Sequence, residues 1–284
     1  MDHAIRYERS RRFTQLCASS LACCALLLSS PGWAEEKAAE KAKEDKIVTD
    51  RPDFVESSDT VGKGRFQIEA SVAYERNNLD GVKDRKWSTP FLLRYGVTED
   101  WELRLETDGH ISARTEDSAT GIAVSESGFA DTSLGLKWHA LDAAGNAPSI
   151  GFLFHLDFAS GSSAFRGNGV RPSVRMSAEW ELPNEMSLGI MPGIMFDKTA
   201  TGERFTSGIF GVVLGKNWTD NFRSFVEIAT PQIASSKYGG TVATFDVGMS
   251  YLLSKTTQVD TAISRGLNKN TPNWAWTLGF SAKF

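Results

Sequence analysis

The sequence predicts an all-β chain: a transmembrane, antiparallel, up-and-down β-barrel of about twelve strands with a short N-terminal periplasmic or plug segment. Three observations carry this. Apolar and polar residues alternate with period two along most of the chain after Gly64. Tryptophans gather near the ends of the alternating stretches. Short turns take turns with long polar loops, the habit of outer-membrane barrels.

The chain opens on a different composition. Arg6, Arg9, Arg11 and Arg12 precede the apolar run Leu16–Ser30, and the small residues Gly32 and Ala34 flank Trp33. This order predicts an export signal peptide over residues 1–34, because the apolar run is too short to span a membrane as a helix. Cys17, Cys23 and Cys24 all lie inside it, so neither a disulfide nor a thiolate metal site is expected beyond it. Residues 35–63 are expected to be a charged linker followed by a lead-in or plug. Glu35–Lys46 mixes both signs with almost nothing apolar, which favours a solvated stretch.

Residues 64–284 are expected to form the barrel. In "RFQIEASVAYE", Phe66, Ile68, Ala70, Val72 and Tyr74 alternate with Arg65, Gln67, Glu69, Ser71 and Glu75. "WELRLETD", "SIGFLFHLDF" and "VRMSAEWEL" alternate the same way. Strands are expected near residues 65–76, 87–96, 101–110, 129–140, 149–158, 171–182, 186–196, 205–217, 221–230, 241–253, 257–265 and 274–284. The short connections are "GVTED", "PNE", "NWTD", "LSKT" and the somewhat longer "DAAGNAP". Long loops are expected at 77–86, 111–128, 159–170, 197–204, 231–240 and 266–273.

A soluble sandwich or lipocalin-like barrel also alternates, but it turns its apolar face inward. Here Trp87, Trp101, Trp138, Trp180, Trp274 and Trp276 stand on the apolar face near strand ends, as in the aromatic girdles of membrane barrels. The opposite face carries more Arg, Glu and Asp than a dry core could hold unpaired, so a wet lumen is expected.

The end of the chain has the form polar-x-Gly-x-x-apolar-x-aromatic in "TLGFSAKF". It resembles the C-terminal assembly signal of outer-membrane proteins, with Gly279 and Phe284 as its marked positions. That implies outer-membrane lipid and the barrel assembly machinery as partners, and the outer membrane of a Gram-negative bacterium as the location. A formal charge of -4 over 284 residues shows no basic excess, so nucleic acid is not an expected partner. No phosphate loop or zinc constellation occurs, so neither cofactor nor metal is expected.

"IVTDRPDFVESSDTVGKGRFQIE", "PFLLRYGVTEDWELRLE" and "GFADTSLGLKW" together carry a resemblance. The residues concerned include Thr49, Asp50, Arg51, Pro52, Asp53, Phe54, Glu56, Arg94, Trp101, Glu102, Arg104, Asp131 and Lys137. The chain resembles the outer-membrane transporter/channel family associated with meta-pathway phenol degradation. It departs at Val55, where the family pattern "DRPDFTES" carries Thr. The resemblance implies a channel or transporter for small solutes, aromatic or otherwise apolar, without fixing which.

The candidate transport path is the inward face. Arg65, Glu69, Arg94, Glu102, Arg104, Glu106, Asp131, Lys137 and Arg175 supply a charged wall. Gly189 and Gly211, with Met191, Ile209 and Val213, supply a small apolar one. Asp50, Arg51, Pro52, Asp53 and Phe54 form the candidate plug, with Arg51 expected to pair with Glu69 or Glu102. Two alternatives stand beside a channel: a rim hydrolase and a closed structural barrel. Asp108, His110 and Ser112, or His155 and Asp157, would serve a hydrolase. Neither set carries the Asn or the acidic pair that barrel hydrolases combine with them, so no enzymatic activity is expected.

Overall fold

The computed structural model describes residues 46–284; the expected signal peptide and the linker up to residue 45 lie outside the described residues. Its strands are β1 Phe66–Leu79, β2 Val82–Ser88, β3 Phe91–Gly96, β4 Trp101–Thr107, β5 His110–Asp117, β6 Ala123–Phe129, β7 Thr132–Leu141, β8 Ser149–Phe158, β9 Arg171–Leu182, β10 Met186–Lys198, β11 Arg204–Asn217, β12 Phe222–Ile233, β13 Val242–Ser254, β14 Thr257–Gly266 and β15 Trp274–Lys283. Three consecutive pairs, β2/β3, β4/β5 and β6/β7, each continue one stave of the wall. Fifteen segments therefore build twelve antiparallel staves.

The wall closes between β15 and β1. Gln67 pairs with Lys283, and the register runs without a slip to Arg76 and Trp274. Phe284 donates its backbone N–H to Phe66 O at 2.7 Å. Closure removes the exposed edge that the alternating C-terminal strand would otherwise present.

Period two puts one side chain in two on the outside. Val72, Leu103, Leu134, Leu156, Ile228, Val247 and Leu278 are all exposed there, as lipid-facing positions require. Aromatic clusters mark the two ends. Trp101 stacks on Trp138 with centroids 5.5 Å apart, beside the short turn after β3. At the long-loop end Tyr74, Trp87 and Trp276 form a cluster with centroids 4.7 to 6.4 Å apart.

Two expected long loops are instead strand. Residues 77–86 continue β1 and β2 to a tight turn at Asp80 and Gly81, both with positive φ. An Asp-Gly pair supplies the left-handed conformation such a hairpin turn needs. Residues 111–128 likewise form β5 and β6. Alternation fades there because the outward face of these extensions carries Arg85, Arg114 and Glu116 in place of apolar residues.

Candidate functional site

Residues 47–63 run into the lumen and contact strands on every side of it. Ile47 is tied at the short-turn end, its N–H donating to Lys255 O at 2.7 Å. The Arg51–Pro52 peptide is cis. From Asp50 to Val61 the segment meets a charged wall on one side and an apolar wall on the other.

Asp50 is the centre of the charged side. Lys137 Nζ donates to both its oxygens at 2.9 and 2.8 Å, and Arg104 Nη1 to Oδ2 at 2.5 Å. Arg94 Nη1 lies 3.4 Å from the same oxygen. Burial alone would raise the Asp50 pKa, but Arg94, Lys137 and Arg104 outweigh it and hold the carboxyl well below the usual carboxylate range. Arg94 also forks onto Glu102, at 2.7 and 3.0 Å, and reaches Glu69 at 3.1 Å. Arg104 Nη2 binds Glu56 at 2.7 Å and Arg175 Nη1 binds its other oxygen at 2.6 Å.

Inserted backbone is satisfied by wall carboxylates. Glu227 accepts from the N–H groups of Phe54 and Val55, both at 2.8 Å. Glu179 accepts from Ser58 N–H at 2.5 Å and Glu102 from Val61 N–H at 2.9 Å. Each of these removes an orphan donor from a segment without secondary structure.

The apolar side is equally specific. Val55 is buried with Met191, Val213, Phe225 and Ala262, and Phe54 packs against the same cluster. Gly211 makes this possible: a Cβ there would lie 2.7 Å from Val55 Cγ2 and 3.0 Å from Phe54 Cδ1. A Cβ at Gly189 would meet Val55 Cγ1 at 3.0 Å. These glycines make room for the inserted segment.

The structure differs from the sequence expectation in three places. Arg51 does not meet Glu69 or Glu102; it donates to Thr277 Oγ1 at 2.7 Å and lies 3.4 Å from Asp260. Arg94 on the adjacent strand already occupies both glutamates. The charged wall is dry at this level, since Glu69, Arg94, Glu102 and Lys137 are wholly buried. The segment itself supplies the carboxylates and carbonyls that replace water. Arg65 stands exposed just before β1 and is not part of the buried wall.

Remaining candidates sit higher. Glu106 accepts from Arg104 at 2.8 Å and contacts His155 Nε2 at 3.0 Å. Asp131, at the break between β6 and β7, accepts from Gly161 and Gly167 N–H and from Arg171, all at 2.8 Å, and so ties the long loop after β8. His110 packs edge-on against Phe129, their centroids 5.4 Å apart on the outer face. The sequence reading missed Glu227, Asp260 and Arg223, the last 2.7 Å from Asp53. Glu227 and Arg223 share β12, in "NFRSFVEIA", and Asp260 stands in "QVDTA" on β14; a charge flanked on both sides by uncharged residues was the available signal.

Above the inserted segment lies a cavity of about 840 Å3, reaching from Asp50, Glu56 and Arg104 up to Arg171, Asp197 and Lys198. A second cavity of about 610 Å3 touches the outward-facing Ala70, His110 and Phe129. The two share Pro90, Phe91, Thr107, Ala130 and Thr132 at the level where three staves break.

A family model described as "Putative MetA-pathway of phenol degradation" matches residues 49–284. An outer membrane channel from Pseudomonas putida F1 has the same fold, with a TM-score of 0.61 at 12% identity over 82% of this chain and 99% of that one. The NanC porin aligns with a TM-score of 0.50 at 10% identity, over 76% of this chain and 100% of its own. No curated protein sequence matches the chain.

Proposed function

The chain belongs to this phenol-degradation family, and from that premise we propose that it is an outer-membrane channel for small solutes, held shut by residues 47–63. The observation that carries the reading is the inserted segment itself. It fills a closed twelve-stave barrel at one level and leaves an open cavity above it. A structural barrel needs neither a socket of buried charges nor an empty mouth. Export would follow from the signal peptide expected over residues 1–34, and the segment would move or unfold to let solute pass.

The cavity lining favours uncharged or cationic solutes. Nine acidic and five basic residues line it. An acidic mouth repels anions at long range. Phenols, neutral at pH 7, fit it better than aromatic carboxylates. Hydrolysis is the weaker reading, because His110 faces outward against Phe129 and His155 is engaged by Glu106.

A side exit is a second reading, favoured by the residues common to the lumen cavity and the outward one. An apolar solute could pass there between lumen and lipid without crossing the plug.

Single-channel current in a planar bilayer tests the main reading. The chain lacking residues 47–63 should show steady conductance several-fold above the intact protein, with cations preferred. Equal, near-zero conductance in both would leave a structural barrel.

A further inference from the structure

Five adjacent strands set one row of residues side by side on the outer wall. Arg265 on β14 pairs in register with Trp274 on β15, Trp274 with Arg76 on β1, Arg76 with Arg85 on β2, and Arg85 with Arg114 on β5. All four arginines are exposed. One outward step below them, the same strands carry Ile263, Trp276, Tyr74, Trp87 and Ser112, which include the aromatic cluster of the long-loop end.

Like charges directly opposite one another destabilise a sheet. Arg76, Arg85 and Arg114 are three in succession. Among the described residues no carboxylate forms an ion pair with Arg76 or Arg85. Glu116, the acid of this face, stands 4.0 Å from both Arg114 and Lys83. Arg265 lies 4.8 Å from the Trp274 ring and donates to Asn273 O at 2.9 Å, which holds its guanidinium against the wall.

The height of the row selects its partner. Ten residues separate Phe66 from Arg76. At about 3.4 Å per residue and a tilt of about 40°, that rise is roughly 26 Å, the thickness of a barrel's apolar band. The aromatic cluster then sits at the acyl boundary and the arginines at the level of the headgroups. We propose that Arg76, Arg85 and Arg114 bind the phosphate groups of a phosphorylated glycolipid in the outer leaflet. The planar guanidinium fork matches phosphate oxygens, and a shared anion converts the repulsion along the row into attraction. The lipid's acyl chains would lie over Tyr74, Trp87 and Trp276.

The test uses the full chain, produced in an outer membrane and extracted in mild detergent. Native mass spectrometry would compare retention of bis-phosphorylated lipid A with that of its dephosphorylated form. The phosphorylated lipid should be retained roughly tenfold better, and the triple variant R76Q/R85Q/R114Q should lose that preference. K255Q, at the short-turn end, should keep it. Unchanged heat-modifiable gel migration would show that the triple variant is folded. If it is not, R85Q alone should lower retention several-fold. A folded triple variant that keeps the preference, or displacement of the lipid by millimolar inorganic phosphate, would overturn the assignment.

Discussion

Lys137 Nζ lies 2.8 Å from Asp50 Oδ2 across the boundary between barrel wall and inserted segment, and both side chains are buried. Eighty-seven residues separate the two along the chain. Removing one member of a buried pair leaves the other charge uncompensated, typically at a cost of ~3–5 kcal/mol. Asp50→Asn keeps the shape and removes the charge from beneath Arg94, Arg104 and Lys137. It should release the segment, raising single-channel conductance several-fold, and lower the urea midpoint of unfolding. Wild-type conductance in a folded Asp50→Asn protein would show that this contact does not hold the channel shut.

The same carboxyl sets a pH dependence. Its pKa in the folded chain is depressed, so its stabilisation is fully present above the unfolded value of about 3.9 and is lost as pH falls through the lower folded value. Acidification from pH 7 to pH 5 should therefore leave the Asp50 anchor intact. A variant lacking it should show raised conductance at both pH values. Convergence of wild type on Asp50→Asn at pH 5 would mean that a carboxylate holding the segment, either Asp50 or the Glu69 and Glu227 that accept from its backbone, titrates above pH 5.

How much of this was legible in the sequence depends on the kind of contact. Alternation placed Glu69, Arg94, Glu102, Arg104 and Lys137 on one face, because parity along a strand is local information. It could not say which inward residues meet across the lumen. Arg51 accordingly meets Asp260 and Thr277, near the C-terminal closure, and not the glutamates on the charged wall. Glu227 escaped notice because its role is to accept from backbone N–H groups of Phe54 and Val55, which no side-chain pattern announces. The hairpin at Asp80–Gly81 had a readable turn signal, yet lost alternation beyond the membrane hid its strands.

Chain closure gives a prediction about assembly. Phe284 and Phe66 exchange two backbone hydrogen bonds, at 2.7 and 3.2 Å, at the last rung of the seam. Deleting Phe284 removes both and shortens the terminal aromatic comb. Yield of heat-modifiable barrel in outer-membrane fractions should fall several-fold, while refolding in detergent should suffer less. Equal losses in both would assign the effect to stability and remove the case for a recognition signal.

The glycines of the apolar wall reverse a simple pore-lining expectation. If Gly189 and Gly211 bordered an open path, larger residues there would narrow it and reduce flux. In the structure a Cβ at Gly211 falls 2.7 Å from Val55, closer than real contacts allow, and 3.0 Å from Phe54, tighter than most. The wall is the closed β-ladder of β10, β11 and β12 and cannot retreat, whereas residues 54 and 55 belong to a segment without a ladder of its own. Overpacking of this kind costs about 1–3 kcal/mol, and the weaker partner yields. Gly211→Val should therefore expel Phe54 and Val55 and increase conductance, although it adds bulk to the lumen. Phe54→Ala should act in the same direction through lost packing, and a chain lacking residues 47–63 should be indifferent to Gly211→Val. Reduced current in Gly211→Val, with the same reduction in the truncated chain, would instead make this wall the path itself.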